Sequence, residues 1–445
     1  MTIPARPANL REAHAHIAQH GRAMTMERLE SCANLDECLQ FISRATGLCP
    51  PSPSQHPGPT GHRPVPQWLL GVGLRVESWP DPSYPTAAQL DQAAADRPVC
   101  LWSFDHHALV LNSAAMRTVG ISPQSPDPPH GRIVRDPRTN TPTGLMLESA
   151  AKLVWSRIPE PTPSERRDQV RAALSDLTSH GFTEIHDLLS QPWLGPLLAE
   201  LDDAGQLPCP ILLYPRVEEV AQLHATAKPW QRPHVRLAGA KLFADGTLNS
   251  RTAFMLHPYA DPLPGLPRGE QMASPQHIRD AIALTQSLGI GLAIHAIGDA
   301  AVRACLDAWE SSPSCLRASV PPSLPLFRIE HAELIDDADI PRFARLGVVC
   351  SVQPCHLLAD IEALRRGLPH RLHRVLPLRD LIQAGCLPGE LLWFGSDTPI
   401  VRPHPEDSLR AAVHRRRAGQ RPTEAIAPEQ AITQEQALAA FAGLV

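Results

Sequence analysis

The chain has 445 residues, of which 43% are hydrophobic and 20% charged, and its formal net charge is -5. This composition is typical of a globular protein, and the mild negative charge gives no electrostatic reason to expect nucleic acid or an anionic membrane as a partner. No run of about 18 apolar residues could span a bilayer and no signal-peptide pattern begins the chain, so we predict a cytoplasmic protein.

The first predicted element contains "HAH", with His14 and His16 two residues apart. On a β-strand alternate side chains share a face, so both imidazoles can point toward one metal ion. The alternative is a polar segment that happens to be rich in histidine, and an isolated H-x-H motif does not decide between the two. The hypothesis of a metal site therefore depends on ligands elsewhere in the chain.

Residues from about 47 to 165 do not follow a regular pattern of strands and helices. Two apolar runs, "WLLGVGL" (68 to 74) and "PVCLWSF" (98 to 104), stand among proline-rich segments such as 48 to 67. Proline lacks the backbone donor that helix interiors and central strands require, so these segments are predicted as loops. We predict an insertion at about 47–165 within a single barrel domain that spans residues 1–445.

From about residue 164, short apolar runs alternate with amphipathic helical patterns, several of which end at glycine. The strand candidates are "FTEIHD" (182 to 187), "CPILLYPRV" (209 to 217), "LAGAKLFADG" (237 to 246), "IGLAIHAIGD" (290 to 299), "LFRIEHA" (326 to 332), "GVVCSVQP" (347 to 354) and "LLWFGSD" (391 to 397). Together with the "HAH" strand they make eight, and alternation of strands with helices gives parallel sheets. The sequence predicts an α/β protein with a (β/α)8 TIM-type barrel, and a doubly wound open sheet is the structural alternative.

Six potential ligand residues stand toward the C-terminal ends of the predicted strands, where barrel enzymes place their active sites. They are His14, His16, Lys241, His295, His331 and Asp397. Histidine and aspartate in this combination suit Zn²⁺ or another divalent metal, and we expect one or two ions. Asp397 has a second possible task, since a carboxylate beside an activated water can act as general base.

Lys241 differs from the other candidates because an ammonium group cannot bind a metal. It becomes a bridging ligand only if carbon dioxide carboxylates it, which converts it into an anion. The alternative is a lysine with a buried stem that pairs with Asp245 or Glu330.

A series of short motifs in fixed order extends over nearly the whole chain. They include "HAH" (14 to 16), "DHHALVLNSAAM" (105 to 116), "GRIVRD" (131 to 136), "KLFADGTLNSRTA" (241 to 253), "HAIGDAAV" (295 to 302), "RIEHAE" (328 to 333), "SVQPCH" (351 to 356) and "GSDTPI" (395 to 400). Together they resemble family 3 of the amidohydrolase superfamily, in the branch of N-substituted formamide deformylase-like proteins. The resemblance implies a metal-dependent hydrolase that acts on non-peptide C–N bonds of small amide-like substrates through metal-activated water.

The resemblance also assigns roles to individual residues. His14 and His16 would bind one metal, His295 and His331 the second, and Asp397 would serve as ligand and base. Lys241 matches the carboxylated bridging lysine. In the inserted segment, His107 matches a histidine that polarises the substrate carbonyl or holds its oxyanion. Asp245 and Arg251 also occupy motif positions, for which a buried ion pair that orders the loop is the alternative to substrate contact.

The chain departs from the family at both ends, because only 13 residues precede His14 and the family's glycine-rich tail is missing. We therefore expect a barrel that lacks most of the family's small β-sandwich domain, and a homo-oligomer could cover apolar surface left exposed. Two other functions remain open. One is a non-catalytic barrel descendant with a binding or regulatory role, and the other is a related ester or lactone hydrolase or deaminase.

Overall fold

The structure is a computed structural model that describes residues 9–47, 68–312 and 326–443. The chain divides into two compact units, the first comprising Met1–Arg22 and Pro163–Val445 and the second Ala23–Thr162. The second unit begins well before the predicted insertion point at about residue 47 and ends close to the predicted residue 165. The proline-rich run at 48–67 lies outside the described residues, and a single barrel domain with an insertion stays a prediction.

The first unit alternates strands with helices. Its strands are β1 (Leu10–Ala15), β8 (Phe182–Leu188), β9 (Ile211–Tyr214), β10 (Val235–Leu237), β11 (Gly239–Phe243), β12 (Gly291–Ala296), β13 (Phe327–His331), β14 (Val349–Val352) and β15 (Leu392–Phe394). Its helices are α1 (Ile17–Ala23, whose last residue belongs to the second unit), α6 (Pro163–Ser179), α7 (Leu194–Asp203), α8 (Val217–Thr226), α9 (Pro275–Ser287), α10 (Asp299–Glu310), α11 (Ile340–Leu346), α12 (Pro354–Gly367), α13 (Leu378–Gln383), α14 (Pro405–His414) and α15 (Gln434–Ala440).

The strands of the first unit form two sheets, and all strand pairs within each sheet are parallel. One sheet has the order β1-β8-β9-β10 and the other β11-β12-β13-β14-β15. Each apolar run predicted as a strand overlaps one, and the prediction of an α/β protein with parallel sheets is confirmed. Because the strands are parallel, their C-terminal ends lie at the same edge of each sheet, which is where the predicted ligands stand.

Strand β1 is buried along its whole length although it contains Arg11 and Glu12. The Arg11 guanidinium stacks on the Trp393 ring at 3.7 Å, and burial lowers its pKa to about 10. Glu12 accepts hydrogen bonds from the backbone N–H groups of His14 at 3.0 Å and Ser396 at 2.8 Å. Aromatic stacking and backbone donors therefore compensate the burial of two polar side chains in a strand that the sequence pattern made difficult to predict.

The second unit contains one mixed sheet in the order β2-β3-β4-β5-β7-β6. Its strands are β2 (Glu27–Arg28), β3 (Leu69–Leu74), β4 (Val99–Ser103), β5 (Ala108–Leu111), β6 (Gly131–Arg135) and β7 (Pro142–Glu148), and its helices are α2 (Leu35–Ala45), α3 (Ala87–Ala94), α4 (Ser113–Thr118) and α5 (Ser149–Trp155). Two hydrophobic clusters lie within it, one with Trp102 and Met146 and the other with Leu90 and Leu101. The unit therefore has apolar cores of its own. In the described part of the whole chain, no helix is both long and apolar enough to cross a membrane.

Asn112 joins a helix to the sheet of the second unit. Its Oδ1 accepts hydrogen bonds from the backbone N–H of Ala115 at 2.9 Å, which caps α4, and from Val99 at 3.0 Å, while its Nδ2 donates to the Arg97 carbonyl at 2.9 Å. The side chain is fully buried, so water cannot replace these bonds.

We expect Asn112→Ala to lower the free energy of unfolding by about 2 kcal/mol, because it removes a cap and leaves a buried N–H unpaired. The matched control is Asn34→Ala, which removes a solvent-exposed cap hydrogen bond at α2 and should cost about 1 kcal/mol or less. Urea unfolding of both variants measures the difference. Equal losses would contradict the idea that Asn112 also supports the sheet.

Candidate metal centre

The first strand and the last strand of the first unit bring two histidines to one aspartate. Nε2 of His14 lies 3.2 Å from Oδ1 of Asp397, and Nε2 of His16 lies 2.8 Å from the same oxygen. Backbone hydrogen bonds hold this arrangement, since the Asp397 N–H donates to the His14 carbonyl at 2.7 Å and the His16 N–H donates to Thr398 at 2.9 Å. Burial opposes ionisation of Asp397, but His14 and His16 lower its pKa well below the usual value. The aspartate is therefore an anion.

Gly395 permits this close approach of the two strands. A Cβ atom at Gly395 would lie 2.6 Å from the backbone nitrogen of His14 and 2.8 Å from Oε1 of Glu12. Real Cβ atoms do not come so close to backbone atoms, so a larger residue would push β1 away. The glycine of "GSD" thus positions the following aspartate against the "HAH" segment.

His295 and His331 stand on neighbouring strands, in register one residue apart along β12 and β13. Their ring centroids are 4.4 Å apart, and the ring centroid of His331 is 4.9 Å from that of His14. Ligand atoms of His14, His331 and Asp397 all lie within 4.8 Å of one another, and all three residues are buried. The predicted residues on β1, β12, β13 and after β15 therefore converge on one region.

Lys241, on β11, is 1% exposed, and its Nζ has no hydrogen-bond partner among the described residues. Burial lowers its pKa to about 8, although the negative charges of Glu330 and Asp397 act in the opposite direction. The alternative of a hydrogen-bonded pair with Asp245 or Glu330 is not observed. Buried polar groups normally have hydrogen-bond partners, so this unpartnered amine is the state expected of a lysine that carboxylation would convert into a ligand.

Asp245 and Arg251 both order the segment that follows β11. Asp245 accepts hydrogen bonds from the backbone N–H groups of Phe254, Ile297 and Gly298 at 2.8 to 3.0 Å. Arg251 forms a bidentate pair with Asp261 at 2.7 and 2.8 Å. Both side chains therefore have structural partners, and neither is among the groups that could hold a metal.

His107 belongs to the second unit, on the loop between β4 and β5. Its Nδ1 lies 2.7 Å from Oε2 of Glu148, which follows from the position of Glu148 at the end of β7. Although burial lowers it, the charge of Glu148 raises the pKa of His107 above its ordinary value. The structure therefore gives His107 a carboxylate partner within its own unit, and its role toward a substrate stays a prediction.

The donor set fits a divalent metal. It combines imidazole nitrogens with a carboxylate, the ligands that zinc and similar ions prefer in open catalytic sites. Nδ1 of His16, Nδ1 of His331 and Nζ of Lys241 are buried and have no hydrogen-bond partner in the described chain. Buried polar atoms are normally satisfied, so the unpartnered imidazole nitrogens leave lone pairs that a cation can use, whereas the Lys241 amine would bind one only if carboxylated.

The model of the amidohydrolase family, Amidohydro_3, matches residues 10–444. The chain belongs to the amidohydrolase family.

Two curated relatives of this amidohydrolase cover nearly the same stretch of chain. The YtcJ amidohydrolase of Bacillus subtilis is 27% identical over 421 residues, which are 91% of this chain and 72% of the relative. N-substituted formamide deformylase of Arthrobacter pascens is 25% identical over 420 residues, again 91% of this chain and 72% of the relative. The predicted resemblance to family 3 is therefore confirmed.

A solved structure has the same fold. An uncharacterised metal-dependent hydrolase from Pyrococcus horikoshii OT3 superposes with a TM-score of 0.72 and 24% sequence identity, and the match covers 98% of this chain and 79% of that protein. Family membership, together with the buried donor groups, supports an amidohydrolase that depends on a divalent metal.

A buried network behind His14 was not predicted from the sequence. Nδ1 of His14 lies 2.6 Å from Oε2 of Glu330, and the Arg328 guanidinium donates to the other oxygen of Glu330. Arg328 also donates to Nδ1 of His186 at 2.8 Å and to the hydroxyl of Ser351 at 2.9 Å. A carboxylate on the second nitrogen of a metal-binding histidine fixes its ring orientation. A signal was present in the sequence, because Arg328 and Glu330 are charged residues two apart in a predicted strand and so share one face.

The network also fixes the tautomer of His186. A guanidinium can only donate, so Nδ1 of His186 must accept from Arg328, and Nε2 must donate to Oε1 of Glu184 at 2.9 Å. Burial, partly offset by Glu184 and reinforced by the charge of Arg328, lowers the pKa of His186 to about 4 from 6.5. The folded protein therefore holds this imidazole neutral.

We expect His186→Gln to make stability less sensitive to acid. Between pH 6.5 and pH 4 the unfolded chain protonates at His186 and the folded protein does not, so the free energy of unfolding falls as the pH falls through this range. Glutamine accepts from Arg328 and donates to Glu184 without titrating, and it should abolish about 3 kcal/mol of that loss. Urea unfolding from pH 7 to pH 4 with a chelator present measures it, with the exposed His234→Gln as control. A pH slope identical to that of the wild type would refute the assignment.

Proposed function

We propose that this chain hydrolyses non-peptide C–N bonds in small amide-like molecules with the help of a divalent metal, Zn²⁺ or a similar ion. The observation that carries the proposal is the convergence of His14, His16 and His331 on the carboxylate of Asp397, in a chain of the amidohydrolase family. When bound, a divalent metal polarises a carbonyl oxygen and lowers the pKa of water. The name of the Arthrobacter pascens relative supports N-substituted formamides as the first substrate class to examine.

The chain's own residues supply binding and proton transfer in this proposal. His14, His16, His295 and His331 would hold one or two metal ions, and Asp397 would be both a ligand and the base that takes a proton from the attacking water. Asp397 then returns the proton to the leaving nitrogen, so that an amide gives a carboxylic acid and an amine. Lys241 is proposed as a carboxylated bridging ligand, because its unpartnered Nζ is buried near Asp397. His107 is proposed to polarise the substrate carbonyl.

We also propose that the two parallel sheets of the first unit form one closed (β/α)8 barrel. Strands β10 and β11 are separated by a single residue, Ala238, so they count as one strand and give a total of eight. Isolated parallel bridges link the sheets at both edges, between Ala15 and Thr398 and between Arg216 and Lys241. Closure would place the C-terminal ends of all eight strands around one rim.

The experiment that tests the function combines metal content with hydrolysis. Protein purified without chelators is assayed for metal by plasma emission spectrometry and for amine release from a panel of N-formyl and N-acyl amines, before and after treatment with a chelator. We expect bound metal, hydrolysis of panel members, loss of at least about 100-fold in rate on chelation, and recovery with Zn²⁺.

Matched histidine variants locate the metal. The double variant His14→Asn and His16→Asn should lose both metal and activity, whereas the double variant His234→Asn and His277→Asn, at exposed positions, should lose neither. Folded wild-type protein without metal would favour a non-catalytic descendant of the barrel. Metal-dependent cleavage of esters, lactones or aminated rings with no amide hydrolysis would overturn the proposed substrate class.

A further inference from the structure

An arginine stands at the C-terminal end of a strand of the first unit, next to a candidate metal ligand. Arg216 follows β9 by two residues, and its backbone forms a parallel bridge with that of Lys241. The N–H of Lys241 donates to the carbonyl of Pro215 at 2.7 Å, which holds the two segments side by side. Arg216 therefore belongs to the strand ends that carry the candidate ligands, although it is not itself a ligand.

The ring of Phe243 connects Arg216 with the candidate metal centre. The central carbon of the Arg216 guanidinium lies 5.8 Å from the centre of this ring, and the centre of the His295 ring lies 5.1 Å from it on the other strand. Nζ of Lys241 lies 5.3 Å from the same ring centre. Phe243 is the last residue of β11 and is half-buried. A single aromatic ring is therefore in contact with the guanidinium and with two candidate ligands.

The guanidinium of Arg216 has no acceptor among the residues that the structure describes. No hydrogen bond or ion pair of these residues involves its side chain, and the acidic residues that follow it, Glu218 and Glu219, do not pair with it. A guanidinium offers five N–H donors in a planar fork that matches a carboxylate. A half-buried arginine of this kind can bind an anionic group that arrives with a ligand.

A second arginine shows that the lack of a partner is not sufficient evidence. Arg236, on β10, is also half-buried and also has no hydrogen bond or ion pair in the described chain. It precedes Lys241 by five residues, roughly 16 Å of strand, and so lies toward the opposite end of the strands. What distinguishes Arg216 is its position beside Phe243 and the candidate ligands.

We propose that Arg216 binds a carboxylate group of the substrate, beside the ring of Phe243. This inference rests on the proposed amide hydrolysis and narrows its substrates to N-formyl and other N-acyl amino acids. In these molecules the carboxylate is attached to the carbon next to the amide nitrogen, which suits two sites that contact the same aromatic ring. Water cleaves the amide bond of the N-formyl compound, giving formate and the free amino acid.

A matched pair of substrates tests the role of the carboxylate. N-Formylphenylalanine, in both enantiomers, is compared with N-formyl-2-phenylethylamine, which lacks only the carboxylate. We expect the kcat/KM of the wild type to be at least about tenfold higher for one enantiomer of the amino acid than for the neutral compound.

Substitutions of Arg216 should remove this preference. Arg216→Gln should lower kcat/KM for the amino acid about 10–100-fold, mainly by raising KM, and should leave the neutral compound within about threefold of the wild type. Arg216→Lys keeps the charge without the fork and should recover only part of the loss. Arg236→Gln is the matched control and should change neither substrate by more than about threefold. Metal content is determined on the same samples.

Binding without hydrolysis separates this inference from the proposed function. Chelator-treated protein is titrated with N-formylphenylalanine in a calorimeter, and we expect saturable binding that Arg216→Gln loses and Arg236→Gln keeps. If amides are hydrolysed but the wild type cleaves the neutral compound equally well, or Arg216→Gln affects both substrates equally, the inference is refuted and the proposed function stands. If binding depends on Arg216 but no amide is hydrolysed, the carboxylate site stands and the proposed function is overturned. Absence of both binding and hydrolysis in folded wild-type protein would overturn both.

Discussion

Asp397→Asn is expected to lower kcat/KM for amide hydrolysis by about 10²–10⁴-fold, the usual contribution of a general acid–base group. Asparagine keeps the shape of the side chain but cannot accept and return a proton. In the folded protein the aspartate is held as an anion by His14 and His16, with its Oδ1 at 3.2 and 2.8 Å from their Nε2 atoms. The measurement is steady-state kinetics on the best substrate of the N-acyl and N-formyl panel, with metal content determined on the same samples.

A matched substitution separates this catalytic effect from the cost of altering a buried aspartate. Asp339 is 2% exposed and pairs with Arg303 at 2.8 Å, but it lies at the start of α11 and is not among the residues that could hold a metal. Asp339→Asn should reduce stability and leave kcat/KM per folded molecule within about threefold of the wild type. If Asp397→Asn retained more than a tenth of the wild-type kcat/KM at equal metal content, the role of Asp397 as base would be refuted.

The sequence predicted the strands of the first unit well because a parallel strand covered on both faces is an apolar run with sharp ends. Runs such as 290–299 and 326–332 each contain the strand expected of them. The predicted ligands converge for the same reason, since each lies near the C-terminal end of a strand or just after it, and parallel strands end on one side. The local sequence pattern was therefore enough to place His295 and His331 on two strands, which the structure shows to be neighbours.

Interactions between distant residues could not be predicted in this way. "NLRE" looked unsuitable for a buried strand. In the structure Arg11 stacks on the Trp393 ring and Glu12 accepts a hydrogen bond from the backbone N–H of Ser396, both partners lying more than 380 residues away. The second unit begins at Ala23, inside the segment that the sequence pattern assigned to the barrel. This boundary was not predicted because the composition of the sequence does not change at the end of α1. The pairing of Arg251 with Asp261 likewise depends on how a long loop folds back on itself.

The network behind His14 depends most strongly on such contacts, and Arg328 holds it together. Arg328 and Glu330 are both fully buried, and the guanidinium bonds to Glu330, His186, Ser351 and the Ala13 carbonyl. Burial acts against the charge of Glu330, but Arg328 and His14 lower the pKa of Glu330 far below its ordinary value. Glu330 is therefore a buried anion whose compensation comes mainly from one arginine.

We expect Arg328→Met to lower the free energy of unfolding by about 3–5 kcal/mol, because it leaves that carboxylate buried without its partner. Methionine keeps much of the apolar volume, so the loss reports charge and hydrogen bonding more than packing. Arg328→Lys should rescue little, since an ammonium group cannot make the divergent bonds of a guanidinium fork. Urea unfolding with a chelator present measures stability without a contribution from bound metal.

Glu330→Gln and the double variant complete the cycle. Glutamine removes the charge that Arg328 neutralises, so Arg328→Met should cost at least about 1 kcal/mol less in the Glu330→Gln background than in the wild type. Glu330→Gln should also weaken Zn²⁺ binding about 10–100-fold, because Nδ1 of His14 loses the carboxylate that orients its ring. Ser351→Ala removes a neutral partner of Arg328 and should change zinc affinity less than threefold. If the effects of the two substitutions on stability are additive and zinc affinity is unchanged, the network has no role in positioning His14. If the effects are coupled and zinc binds more weakly, Arg328 and Glu330 position His14 for the metal.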